Sequence, residues 1–77
     1  MNKTRRSSLQ RVAEELETLA EELQEIYEEE QSALDNIPEN LQGSQRCADT
    51  EENVGDLEDA LSNLSDVCST IQSVIDR

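Results

Sequence analysis

The sequence predicts an all-α fold, an antiparallel two-helix coiled-coil hairpin whose copies pair into a four-helix bundle. Apolar residues recur in alternating steps of three and four through two long stretches. A single proline, Pro38, separates those stretches, and strong helix formers fill the positions between the apolar ones. Residues 1–6 read as a basic N-terminal arm and 7–77 as the hairpin, with helices over about 7–36 and 44–76 and a loop over 37–43.

In the first stretch Leu9, Val12, Leu16, Leu19, Leu23, Ile26, Glu30, Ala33 and Ile37 keep the heptad rhythm without a slip. Taking Leu9 as an a position, these are the a and d residues, and only Glu30 is polar. Ser7 or Ser8 is the expected N-cap, with a start that could also reach back to Thr4. Pro38 ends the helix because it disfavours α geometry in the residue before it and has no N–H to donate. In the loop, Ile37 and Leu41 are expected to plug the end of the core.

The second stretch repeats the arithmetic through Cys47, Thr50, Val54, Leu57, Leu61, Leu64, Cys68, Ile71 and Ile75. Ser44 is the expected N-cap, with Thr50 followed by Glu51 and Glu52 as a competing start. Gly55 costs about 1 kcal/mol in a helix interior, so a bend near residues 49–56 is an open alternative. Two registers suit a short loop. The preferred one sets Glu30 opposite Thr50, Ile26 opposite Val54, Leu19 opposite Leu61 and Val12 opposite Cys68. A shift by one heptad would bury the Glu30 carboxylate against Leu57, which costs far more than a shared polar layer.

Both helices carry apolar residues beyond the a/d seam. Tyr27 and Leu34, with Ala13 and Ala20, stand at e in the first helix; Val67 and Val74, with Ala60, stand at g in the second. A lone hairpin would leave these flanks partly wet. Tyr27, Leu34, Val67 and Val74 are therefore expected to form an apolar surface for a homodimer or a partner helix.

The composition argues against enzymatic chemistry. In 77 residues there is no His, Trp or Phe and one aromatic, Tyr27, so the usual general base and pocket walls are missing. No catalytic residue, cofactor or metal ligand is expected. The Glu28-Glu29-Glu30 run and the Asp49, Glu51, Glu52 group lack the alternation of a calcium loop and the His of a di-metal bundle site. Cys47 and Cys68 fit no zinc spacing, and on one helix they would lie about 31 Å apart, beyond disulfide reach. They are expected to be reduced core residues in a cytoplasmic protein. No apolar run is long enough for a membrane span.

Charge is the strongest functional signal. The chain has 6 basic and 19 acidic residues, net −13. Lys3, Arg5, Arg6 and Arg11 fall in an opening segment without acids, so residues 12–76 carry all the acids against Arg46 alone. That body excludes direct contact with nucleic acid or an anionic membrane and calls for a basic partner surface. Glu14, Glu17, Glu21, Glu25 and Glu28 form a stripe with β-carbons about 5 to 6 Å apart. For a hairpin about 40 Å tall, one net charge falls every 2.2 Å or so, against about 1.7 Å for duplex DNA. The basic arm has three readings: a solubilising tail, a clasp on the acidic body of a neighbouring molecule, or a contact to nucleic acid.

The stretch Asp35-Asn36-Ile37-Pro38-Glu39-Asn40-Leu41-Gln42-Gly43-Ser44, preceded by Glu28-Glu29-Glu30-Gln31-Ser32-Ala33-Leu34, resembles a turn in small acidic helical-hairpin proteins of bacteriophages, prophages and mobile elements. The similarity spans about residues 25–76. Gln45 and Cys47 depart from it, standing where Glu and either a larger residue or Gly are usual. The resemblance implies a phage or mobile-element setting and brings no catalytic residues.

The expected function is therefore non-enzymatic. The acidic helices would block or modulate a basic, nucleic-acid-binding surface of a host or phage protein in the bacterial cytoplasm, as an inhibitor and DNA mimic. The alternative is a structural or assembly adaptor that docks through its apolar flanks. Binding that collapses with salt belongs to the first; binding that survives it belongs to the second.

Overall fold

A computed structural model describes residues 1–77 as two long helices, α1 (Lys3–Asp35) and α2 (Gln45–Ile75), joined by a short connection containing one 3₁₀ turn, Glu39–Leu41. There is no strand. The helices pack side by side, antiparallel, in a rod 60 Å long and 15 by 14 Å across.

Helix α1 starts at Lys3, four residues before the expected start at Ser7 and one before the alternative at Thr4. Asn2 is its cap, its Oδ1 accepting from the Arg5 N–H at 2.8 Å. The residues expected as an arm are thus mostly helical. Three cations in the first turns oppose the helix dipole and hide this start from sequence reasoning, but Asn2 is among the best N-cap residues. At the other end the Asn36 N–H bonds back to the Ser32 carbonyl at 3.1 Å, and its side-chain amide donates to the same oxygen at 2.9 Å. Pro38 follows and stops the helix.

The connection turns on backbone bonds from Leu41 N–H to the Pro38 carbonyl (2.8 Å) and from Ser44 N–H to the Leu41 carbonyl (3.0 Å). Ile37 is half-buried at the end of the core; Leu41, expected beside it, is exposed. Ser44 caps α2 through the Cys47 N–H at 3.2 Å, and α2 runs unbroken through Gly55.

Two bonds between the helices fix the register. Asn53 Nδ2 donates to Glu30 Oε2 at 3.1 Å, and the Arg6 guanidinium donates to the Ile75 carbonyl. Glu30 therefore lies level with Thr50 to Asn53, as in the preferred register; the heptad-shifted one would carry Arg6 past the end of the chain. Arg6 also satisfies a C-terminal carbonyl of α2 with a favourable charge.

The seam of α2 follows the expected a and d positions, with Cys47 and Val54 buried. The seam of α1 does not. Leu19 and Ile26, expected at d against Leu61 and Val54, are each 53 % exposed. Ala13 is buried, and Ala20, Tyr27 and Leu34 are half-buried in the seam instead of forming an outer flank. The sequence allows both, because Leu9, Ala13, Leu16, Ala20, Leu23 and Tyr27 also alternate in fours and threes. The rotated seam places small residues near large ones: Ala20 borders the same groove as Leu61, and Leu34 the same cleft as Cys47. Such volume matching lets two helices approach closely.

Candidate functional site

The acidic stripe is built on the exposed surface of α1. Glu14, Glu17, Glu21, Glu25 and Glu28 are all exposed; Glu17 and Glu21 also border the groove between the helices, beside Leu61 and Ser65, and Glu14 borders a cleft with Ile75. Glu14, Glu21 and Glu28 follow Val12, Leu19 and Ile26 by two residues, about 200° around the helix. The stripe and the d row of α1 thus point in nearly opposite directions.

Neutral amides bond two carboxylates of the stripe and three outside it without neutralising them. Gln10 Nε2 donates to Glu14 (3.4 Å), Gln24 to Glu28 (3.2 Å) and Gln31 to Asp35 (3.1 Å), and α2 repeats the device with Gln45 to Asp49 and Gln72 to Asp76. Each pair is spaced i, i+4 and contributes a few tenths of a kcal/mol. The one ion pair, Arg11–Glu15 at 2.7 Å, is well exposed on both sides and adds little stability. The rest of the negative field is unpaired by cations. Because the rod is 60 Å long, the −18 of residues 12–76 spreads to about one charge per 3 Å, sparser than the sequence reading and about half the density of duplex DNA.

The apolar flank expected from Tyr27, Leu34, Val67 and Val74 is not one surface. Tyr27 and Leu34 lie in the seam, whereas Val67 is 47 % exposed and Val74 half-buried. The Asn53–Glu30 bond marks the edge to which Val67 and Val74 belong, because heptad steps from Asn53 lead to Ala60, Val67 and Val74. On α1 the row beside Glu30 on that edge is Arg5, Val12, Leu19, Ile26 and Ala33. Leu19 and Ile26 are the members that sequence reasoning missed; the width of the apolar stripe, three positions per heptad, was the available signal. On the other edge Glu17, Gln24 and Ser65 border an open groove that Ala20, Leu61 and Cys68 also line.

No family model matches the chain, and no curated protein and no solved structure was found to resemble it. Function is therefore read from the surface itself. No three His, Cys, Asp or Glu side chains converge as a metal site would require. No helix is long and apolar enough to cross a membrane.

The two thiols are free and unequal. Burial pushes the Cys47 thiol above its ordinary value near 9, and the Glu51 carboxylate, 3.9 Å from its sulfur, pushes it further. Because the folded state holds this proton more tightly than the unfolded chain, the stabilising effect is complete below the unfolded value and is lost as pH rises through the folded one. Iodoacetamide at pH 8 is expected to modify the half-buried Cys68 about tenfold faster than Cys47. Equal rates in peptide-resolved mass spectrometry would show that the loop end of the seam opens freely.

Proposed function

We propose that the protein is a non-enzymatic inhibitor or modulator from a phage or mobile-element setting, acting in the host bacterial cytoplasm. Its acidic helices occupy a basic, nucleic-acid-binding surface of a host or phage protein. The observation that carries this is the exposed stripe Glu14, Glu17, Glu21, Glu25 and Glu28, neutralised by no cation, with Glu14 and Glu28 bonded to glutamines. A rigid rod holding such a field attracts a complementary basic groove from a distance and makes association fast and salt-sensitive. The charge spacing supports competition for a phosphate-binding surface through the summed field, not a one-to-one copy of DNA phosphates.

The test uses the immobilised protein and a nuclease-treated bacterial lysate. Proteins retained at low salt are expected to be released by short duplex DNA, because both compete for one basic site. Retention that resists DNA and persists at high salt would replace this reading with the adaptor, docked through the Leu19, Ile26 and Val67 edge.

A further inference from the structure

The edge marked by the Asn53–Glu30 bond has no cover within the hairpin. Leu19, Ile26 and Val67 are each about half exposed along it, although a seam through the d positions of α1 would have buried the first two. A two-helix contact covers two positions per heptad, and this sequence supplies three on α1. The excess is confined to one side of the rod, opposite Glu14, Glu21 and Glu28.

We propose that this edge is a homodimer interface, with two copies packed antiparallel about a two-fold axis at Leu19. Charge selects both the occupant and its direction. Arg5 stands in the same row as Val12, Leu19 and Ile26 and is exposed. At the far end of the row Ala33 is flanked by Glu29 and Glu30. Arg5 and Ala33 are equally distant from Leu19, as are Val12 and Ile26, so a two-fold axis at Leu19 brings Arg5 of one copy beside Glu29 and Glu30 of the other. Val12 then meets Ile26, and Leu19 meets its own copy. Glu30 already uses one oxygen for Asn53 and keeps the other for the arginine. A parallel pair would instead press the two basic ends together and the two acidic loops together.

The available area suffices. The row from Arg5 to Ala33 is about 42 Å long, and the rod is 15 Å wide. That gives about 600 Å² per copy and about 1,200 Å² in all, the lower bound for a specific interface. Glu15 and Glu22 repel their counterparts across the rim, which limits the strength of the pair and leaves the ends to set its direction. The dimer keeps both acidic stripes on its outer faces, yet it does not depend on what those stripes bind.

Sedimentation of the purified chain in about 0.15 M salt, together with cysteine cross-linking, tests this without any partner. The wild type is expected to self-associate, and Leu19→Lys to weaken association about tenfold or more with helical content unchanged. Under mild oxidation Leu19→Cys is expected to give a covalent dimer. Ile26→Cys should not, because its two copies would lie about 21 Å apart; the wild-type chain serves as blank. A wild type that stays monomeric into the millimolar range overturns the proposal. So does a dimer indifferent to Leu19→Lys, and so does one in which Ile26→Cys cross-links in preference to Leu19→Cys.

Discussion

Replacing Val54 by Asp is expected to unfold the hairpin, whereas the same substitution at Val67 is expected to leave the isolated chain folded. Both valines lie on α2, so helix propensity changes equally. What differs is burial: Val54 is 7 % exposed and Val67 is 47 %. An unpaired carboxylate at position 54 loses its water without gaining a partner, because the nearest polar pair, Asn53 and Glu30, is already bonded and adds a second negative charge. The cost is about 3 to 5 kcal/mol, comparable to the whole stability of a chain this size. At Val67 the carboxylate stays hydrated, and the cost to the monomer is about 0.5 kcal/mol or less. Urea unfolding followed by circular dichroism at low protein concentration checks both. Equal losses at the two positions would mean that the seam of α2 does not face α1 as described.

The two helices, their antiparallel order and the level of Glu30 were legible because they rest on signals with one physical reading. Pro38 can only interrupt, Ser44 caps, and an isolated carboxylate in the seam rules out the shifted register. The rotation of α1 was not legible in the same way. Its apolar stripe occupies a, d and e, and the row through Ala13, Ala20, Tyr27 and Leu34 is as regular as the row through Val12, Leu19, Ile26 and Ala33. Counting apolar area does not decide between them, since Val12 and Leu19 exceed Ala13 and Ala20 while Tyr27 and Leu34 exceed Ile26 and Ala33. What favours the first is volume matching across the seam, Ala20 with Leu61 and Leu34 with Cys47, a property of pairs that periodicity along one helix does not contain. The acidic stripe was fully legible, because helix geometry alone sets its spacing and direction. The start at Asn2 was obscured by the arginines that follow it.

Changing Glu14, Glu17, Glu21 and Glu25 together to Gln is expected to weaken binding to the retained basic protein by about thirtyfold at low salt. Each exposed carboxylate contributes about 0.5 kcal/mol, and four of them about 2 kcal/mol. Gln has nearly the helix propensity and shape of Glu, so the rod keeps its form. Removing like charges spaced i, i+4 and i, i+3 should raise the stability of α1 by a few tenths of a kcal/mol per pair. The variant is thus expected to be slightly more stable and markedly weaker in binding, a combination that unfolding cannot produce. Unchanged affinity would move the interaction away from the stripe. Because these glutamates lie away from the Leu19 and Val67 edge, self-association should persist in the variant.

The salt dependence of that affinity bears most directly on an acidic surface that occupies a basic one. Titration calorimetry of the purified pair at a series of salt concentrations gives the slope of log affinity against log salt. Between about 50 and 200 mM salt the wild type is expected to lose at least about tenfold in affinity, with a shallower slope for the quadruple variant. An affinity that is flat across this range, in both proteins, would contradict the account and assign the contact to the apolar edge.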